Sequence, residues 1–112
     1  VLVNLVKNAA EAIDAAGSQD RRIVIESSTA GSNVVISVSD FGMLLKQRDL
    51  DRIFEPYFTT KKDGMGLGLC ISKTIVEQHG GTLKVQLNQP CGLTFRMILP
   101  VAKKNRPPAA AK

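Results

Sequence analysis

Three groups of residues have types and spacings that suit phosphate and metal chemistry. Asn4 and Asn8 stand one helical turn apart, so in a helix their amides share one face. They fall off the apolar stripe of Leu5, Ala9 and Ile13. An asparagine oxygen can ligate a hard cation such as Mg²⁺, and its NH₂ group can reach a phosphate oxygen. Asp40 ends a hydrophobic strand pattern, where a carboxylate is placed to accept a hydrogen bond from a ligand amino group. Such charged bonds are worth about 1.5–3 kcal/mol. Gly64-Met65-Gly66-Leu67-Gly68-Leu69 runs directly into a helical pattern. Glycines let the backbone approach phosphates, and a helix N-terminus offers N–H groups and a positive dipole end. Each group also has an ordinary reading: solvated asparagines, a turn-starting aspartate, and a flexible loop before a helix.

The better-known phosphate motifs do not fit. No Gly-x-x-x-x-Gly-Lys-Ser/Thr occurs, and a loop rather than a strand precedes the glycine run, unlike the dinucleotide fingerprint. Asp40-Phe41-Gly42 matches the Mg²⁺-holding triplet of eukaryotic-type protein kinases. That family also needs an upstream glycine-rich loop, a strand lysine and a His-Arg-Asp loop. None is present, so the triplet is a coincidence. Cys70, Cys91 and His79 have no zinc-site spacing. The two cysteines read as structural thiols of a reducing compartment.

The elements that must position these groups follow from periodicity. Leu2, Leu5, Val6, Ala9, Ile13 and Ala16 predict an opening helix, with Gly17 as its stop. The helical pattern starts at the first residues, as expected of a domain cut from a longer chain. Arg22 to Ser28 and Val34 to Ser39 alternate as strands around a turn at Ala30 to Asn33, which predicts a hairpin. Arg48 to Phe54 suits a short helix, and Glu55 to Gly66 a long loop of the kind that is usually functional. Leu67, Ile71 and Ile75 mark a second long helix ending at His79, Gly80 and Gly81. Thr82 to Leu87 and Leu93 to Leu99 predict two further strands. The order implies an α+β two-layer α/β sandwich, with helices on one face of a mixed, mostly antiparallel sheet. Residues 1–100 form the domain and 101–112 a flexible tail of Pro, Ala and Lys.

Bulk properties agree with one compact domain. The chain has 112 residues and is 44 % hydrophobic, enough for a core. No apolar run is long enough to cross a membrane, and the first residues do not resemble a secretory signal. The net charge of +5 lies partly in Lys103, Lys104, Arg106 and Lys112. With one tyrosine and no tryptophan, basic residues are not interleaved with aromatics as nucleic-acid binding would want. A positive surface that attracts a nucleotide is consistent with the same charge.

The three groups occur in an order that resembles the catalytic ATP-binding domain of bacterial sensor histidine kinases, in the superfamily shared with gyrase B, Hsp90 and MutL. The resemblance covers about residues 1–100. It is carried by Val1 to Ile13 (VLVNLVKNAAEAI), Asp51 to Lys61 (DRIFEPYFTTK) and Gly64 to Gly81 (GMGLGLCISKTIVEQHGG). The wording is most like nitrogen-regulation and oxygen-sensing kinases. The resemblance implies the Bergerat ATP-binding fold, with ATP and Mg²⁺ as cofactors. Asn8 matches the Mg²⁺ ligand, and Asn4 lines the same site with Lys7 near phosphate. Asp40 matches the adenine-reading carboxylate, followed by Gly42. Phe54 and Phe58 match aromatics that anchor the lid, which begins at Thr60 and Lys61. Gly64, Gly66, Leu67, Gly68 and Leu69 match the glycine box over the triphosphate. Thr94 matches a late threonine that supports the adenine site.

Gyrase-like ATPases carry a water-activating glutamate at the position of Asn4. An amide cannot act as a general base. The resemblance therefore implies phosphoryl transfer to a histidine of a separate dimerisation domain, which this chain lacks, and onward to a response regulator. His79, before Gly-Gly at a helix end, suits the helix dipole instead. The implied location is cytoplasmic, within a parent protein that can be membrane-anchored.

One segment departs from the family. Asp-x-Gly-x-Gly is usual at the first glycine box, whereas this chain has Asp40-Phe41-Gly42-Met43-Leu44-Leu45. A left-handed backbone at Leu44 would cost roughly 1–2 kcal/mol, and a bulky side chain could enter the adenine pocket. The alternative is a degenerate domain that binds ATP weakly or not at all and acts through protein contacts. Phe41 to Leu45 is also a candidate self-association patch. A superfamily ATPase or serine kinase is a third reading, which Asn4 argues against.

Overall fold

A computed structural model describes residues 1–17, 19–42, 47–50, 52–56, 68–89 and 91–101. Its elements are α1 (Leu2–Ala16), β1 (Ile23–Ala30), β2 (Asn33–Asp40), α2 (Gln47–Leu50), α3 (Gly68–Gln78), β3 (Thr82–Leu87) and β4 (Leu93–Pro100). The strands form a four-stranded sheet in the order β1-β2-β4-β3. All three described pairings are antiparallel, so the mixed component expected from the sequence is absent among the described residues. The α+β architecture is as expected.

Register explains which strand face is buried. Val38 lies opposite Phe95, Ile36 opposite Met97, and Leu83 opposite Met97. Side chains alternate across a strand, so these residues share one face. Leu5 and Ala9 of α1 and Val76 of α3 complete a single buried cluster with Val38, Phe95, Met97 and Leu83. The helices therefore lie over one face. Ser37, Arg96 and Lys84 align across the other, the polar-out pattern of a sheet covered on one side.

Helix ends are set by backbone chemistry. Gly17 adopts φ 61°, and its N–H reaches the carbonyl of Asp14, the left-handed stop expected after Ala16. At the end of α3, Gly81 donates to the carbonyl of Val76 and Gly80 to that of Glu77. The α2 helix is shorter than the expected Arg48 to Phe54. Beyond Leu50 the chain continues in tighter turns, Arg52 donating to Asp49 and Glu55 to Arg52. Pro56 disfavours helical backbone at Glu55.

Ile71 and Ile75 mark α3 as expected; both are exposed, and Ser72 and Val76 are its buried residues. A polar residue takes the inward position because its hydroxyl has a partner on α1.

Candidate functional site

The amide-bearing flank of α1 meets the start of α3. Burying Leu5, Ala9 and Ile13 on the sheet leaves Asn4 and Asn8 half-buried at the edge of the helix. Asn4 Nδ2 donates to Ser72 Oγ at 3.0 Å. Gly68, the first residue of α3, packs against the same amide: a Cβ there would lie 3.0 Å from Asn4 Nδ2 and 3.1 Å from Oδ1. The structure thus joins the asparagine helix to the helix that follows the glycine run. The first N–H groups of α3 have no partners within the helix and begin beside Asn4. Leu69 packs on the core from this point, and Lys7 is exposed.

A second centre forms where β2 ends. Asp40 is only 3 % exposed. Its Oδ1 accepts the N–H of Gly42 at 3.0 Å. Burial raises its pKa above the usual carboxylate value, and the backbone N–H groups of Gly42 and Leu93 oppose that shift. Gly42 is fixed by close packing. A Cβ on it would lie 2.9 Å from the carbonyl carbon of Ala12 and from the amide nitrogen of Ile13. Across the gap, Gly92 has φ 100°, and a Cβ there would fall 2.1 Å from the carbonyl oxygen of Asp40.

Thr94 lies opposite Ser39 in the register, one position before Asp40. Its side chain therefore stands on the sheet face opposite the Asp40 carboxylate. Ser39 Oγ and Thr94 Oγ1 lie 2.8 Å apart. Thr94 donates to Asn88 Oδ1 at 2.7 Å, and Asn88 Nδ2 donates to the Asp40 carbonyl at 2.8 Å. Thr94 thus reaches Asp40 through Asn88 rather than by lining the same surface.

Phe54 is half-buried and meets Phe95 edge to face, ring centroids 6.2 Å apart, with Lys73 Nζ 5.3 Å from the Phe54 ring centroid. Phe41 is half-buried, and the Arg22 guanidinium lies 4.9 Å from its ring centroid. Arg22 therefore covers part of the apolar surface expected at Phe41. Met43, Leu44 and Leu45 lie outside the described residues, as do Phe58, Thr60, Lys61, Gly64, Gly66 and Leu67. His79 lies just past the end of α3, where the sequence placed it, with Nδ1 3.2 Å from the Ile75 carbonyl. Neither cysteine is in a disulfide. Among the described residues, no helix is long and apolar enough to cross a membrane.

Sequence reasoning missed Ser72, Asn88 and Gly92. Ser72 had a faint signal, since it falls with Leu69 and Val76 on one helical face. Asn88 and Gly92 bracket the turn between β3 and β4, and nothing local in the sequence ties them to Asp40.

Comparison with known proteins places the chain. Residues 1–103 match the family model described as histidine kinase-, DNA gyrase B- and HSP90-like ATPase. The sensor histidine kinase ZraS of Escherichia coli is 48 % identical over 101 residues, covering 90 % of this chain and 21 % of that protein. The sensor protein FixL of Bradyrhizobium diazoefficiens is 42 % identical over 106 residues, covering 94 % of this chain and 21 % of that protein. The chain thus spans about one fifth of the length of these relatives. Among solved structures, the catalytic domain of histidine kinase ThkA aligns with a TM-score of 0.73 at 37 % identity, covering 88 % of this chain and 62 % of that one. Full-length ShkA in complex with AMPPNP aligns at 0.74 and 29 % identity, over 91 % of this chain and 21 % of that one. The chain belongs to the family of histidine kinase-, DNA gyrase B- and HSP90-like ATPases, as an ATP-binding domain of the sensor histidine kinase type.

Proposed function

We propose that this domain binds ATP with Mg²⁺, adenine against Asp40 and triphosphate between α1 and the start of α3, and transfers the γ-phosphoryl group to a histidine of a separate dimerisation domain. The observation that carries the reading is the contact of Asn4 with Gly68 and Ser72. It brings the amide-bearing flank of one helix against the glycine-led N-terminus of another, the pairing of hydrogen-bond donors and helix dipole that a triphosphate needs.

The residues present fit both cofactors. Asp40 has about four lone-pair positions and accepts the Gly42 N–H with one of its oxygens, so it keeps capacity for an adenine amino group. Asn8 would supply a neutral oxygen to Mg²⁺, with phosphate oxygens and water completing the shell. Lys7, Thr60, Lys61 and the glycines Gly64, Gly66 and Gly68 are proposed to surround the phosphates, with Leu67 and Leu69 seating that segment and Phe54 and Phe58 anchoring it. When bound, Mg²⁺ would neutralise charge that develops on the phosphates. The chain's own contribution is positioning. Asn4 offers no base for water, which favours a histidine acceptor on a partner domain. A response regulator would receive the group next.

A degenerate domain is the second reading. It is favoured by Phe41, half-buried under Arg22 at the adenine end, and by the deep burial of Asp40. Calorimetry with Mg²⁺·ATP on this chain and on Leu44→Gly separates the two. Micromolar to sub-millimolar binding by the unmodified chain is expected. Binding by Leu44→Gly alone would favour the degenerate reading, and binding by neither would sink the nucleotide reading. Radiolabelled ATP with a supplied dimerisation domain then tests transfer.

A further inference from the structure

We infer that Asn88 is a positioning residue for nucleotide selectivity: through a directed hydrogen-bond relay from the polar face of the sheet, it sets Asp40 where the carboxylate can discriminate the purine's 6-substituent. The inference rests on the reading of Asp40 as the adenine acceptor.

The β2–β4 pairing ends at Ser39 and Thr94. One residue further, where Asp40 and Leu93 would form the next rung, a side chain takes over: the Asp40 carbonyl accepts from Asn88 Nδ2 at 2.8 Å. Without Asn88 that carbonyl would lose its bond at the point where the chain leaves the sheet.

The relay has a direction. The Thr94 hydroxyl donates to Asn88 Oδ1 at 2.7 Å, so its one proton is used. The Ser39 hydroxyl, 2.8 Å away, must then be the donor to Thr94. With Oδ1 occupied as acceptor, the Asn88 amide has a single orientation, its NH₂ toward Asp40. The turn holding Asn88 is closed by its own N–H on the Gly92 carbonyl at 2.8 Å. Gly92 in turn packs against the Asp40 carbonyl, with no room for a Cβ. Cys91 Sγ adds a bond to the Phe41 carbonyl at 3.3 Å. The turn between β3 and β4 therefore grips the main chain at the Asp40 and Phe41 carbonyls.

The experiment measures Kd for Mg²⁺·ATP and Mg²⁺·ITP, which differ at the 6-position of the purine, on the unmodified chain, Asn88→Ala and Thr94→Val. Asn88→Ala is expected to weaken ATP on the order of tenfold, the scale of one lost buried bond, and to leave the weaker ITP binding unchanged. Thr94→Val, which keeps the strand shape and removes only the relay hydroxyl, is expected to shift the ratio the same way by less. It carries the test if Asn88→Ala does not fold. Equal loss for both nucleotides, or an unchanged ratio in both variants, would overturn the inference, because a merely structural role has no preference for the 6-amino group. Equal affinity of the unmodified chain for ATP and ITP would overturn the Asp40 reading and this inference with it.

Discussion

The phosphate end and the adenine end of the proposed site are held by different kinds of contact. At the phosphate end, side chains meet: Asn4 touches Gly68 and bonds Ser72, and each partner sits on a regular helix. At the adenine end, main chain meets main chain. Gly42 lies against the α1 backbone, Gly92 lies against the Asp40 carbonyl, and the Gly42 N–H bonds the carboxylate. A side chain can rotate aside, whereas a backbone cannot. The adenine end should therefore be the brittle half of the site and the phosphate end the adaptable half.

The largest expected effect tests this directly. Gly92→Ala places a methyl group 2.1 Å from the Asp40 oxygen at a backbone φ of 100°. Strain and overpacking together should cost about 2–5 kcal/mol, read as a fall in the midpoint of chemical denaturation, with loss of ATP binding. Stability near that of the unmodified chain would mean that the turn is not locked against Asp40.

Asp40→Asn should weaken ATP by more than tenfold, and it carries a pH signature. Folding raises the carboxyl pKa through burial, so the folded state holds this proton to higher pH than the unfolded chain. Stability from this group is greatest at low pH and falls as pH rises from the ordinary carboxylate value through the raised one. The amide does not titrate. The stability of Asp40→Asn relative to the unmodified chain should therefore increase with pH across that window and then level off. A difference that is flat with pH would show that burial does not strain the carboxylate.

Ser72→Ala should cost about 1 kcal/mol, the usual worth of one hydrogen bond, and should weaken Mg²⁺·ATP while leaving adenosine binding unchanged. An equal loss for adenosine would show that the two ends are not separable. Gly68→Ala should have the smallest effect, under about 1 kcal/mol in either direction, because helix propensity offsets a contact that the Asn4 amide can relieve by moving. If Gly68→Ala were as damaging as Gly92→Ala, the contrast between the two ends would fail.

The same contrast explains what could be read from the sequence. Helical spacing exposed Asn4 and Asn8, and alternation exposed the strands bearing Val38 and Phe95, because those signals repeat locally. The hairpin and both long helices came out close to their observed limits for that reason. Ser72 was hidden because a serine on an apolar face looks like a flaw until its partner, Asn4, is seen 68 positions away. Asn88 was invisible because its bond to the Asp40 carbonyl spans 48 positions and involves no side-chain pattern. The family resemblance pointed to Asp40 and Thr94 together, but only the register of β2 on β4 showed that Thr94 stands on the other face.

The central claim is that a buried aspartate at the end of β2 selects adenine. The most direct test is calorimetric competition between Mg²⁺·ATP and Mg²⁺·ITP on the unmodified chain and on Asp40→Asn. A preference for ATP of at least about tenfold, consistent with one charged hydrogen bond, that disappears in Asp40→Asn is the predicted result. Equal binding of the two nucleotides, or a preference that survives the substitution, would contradict it.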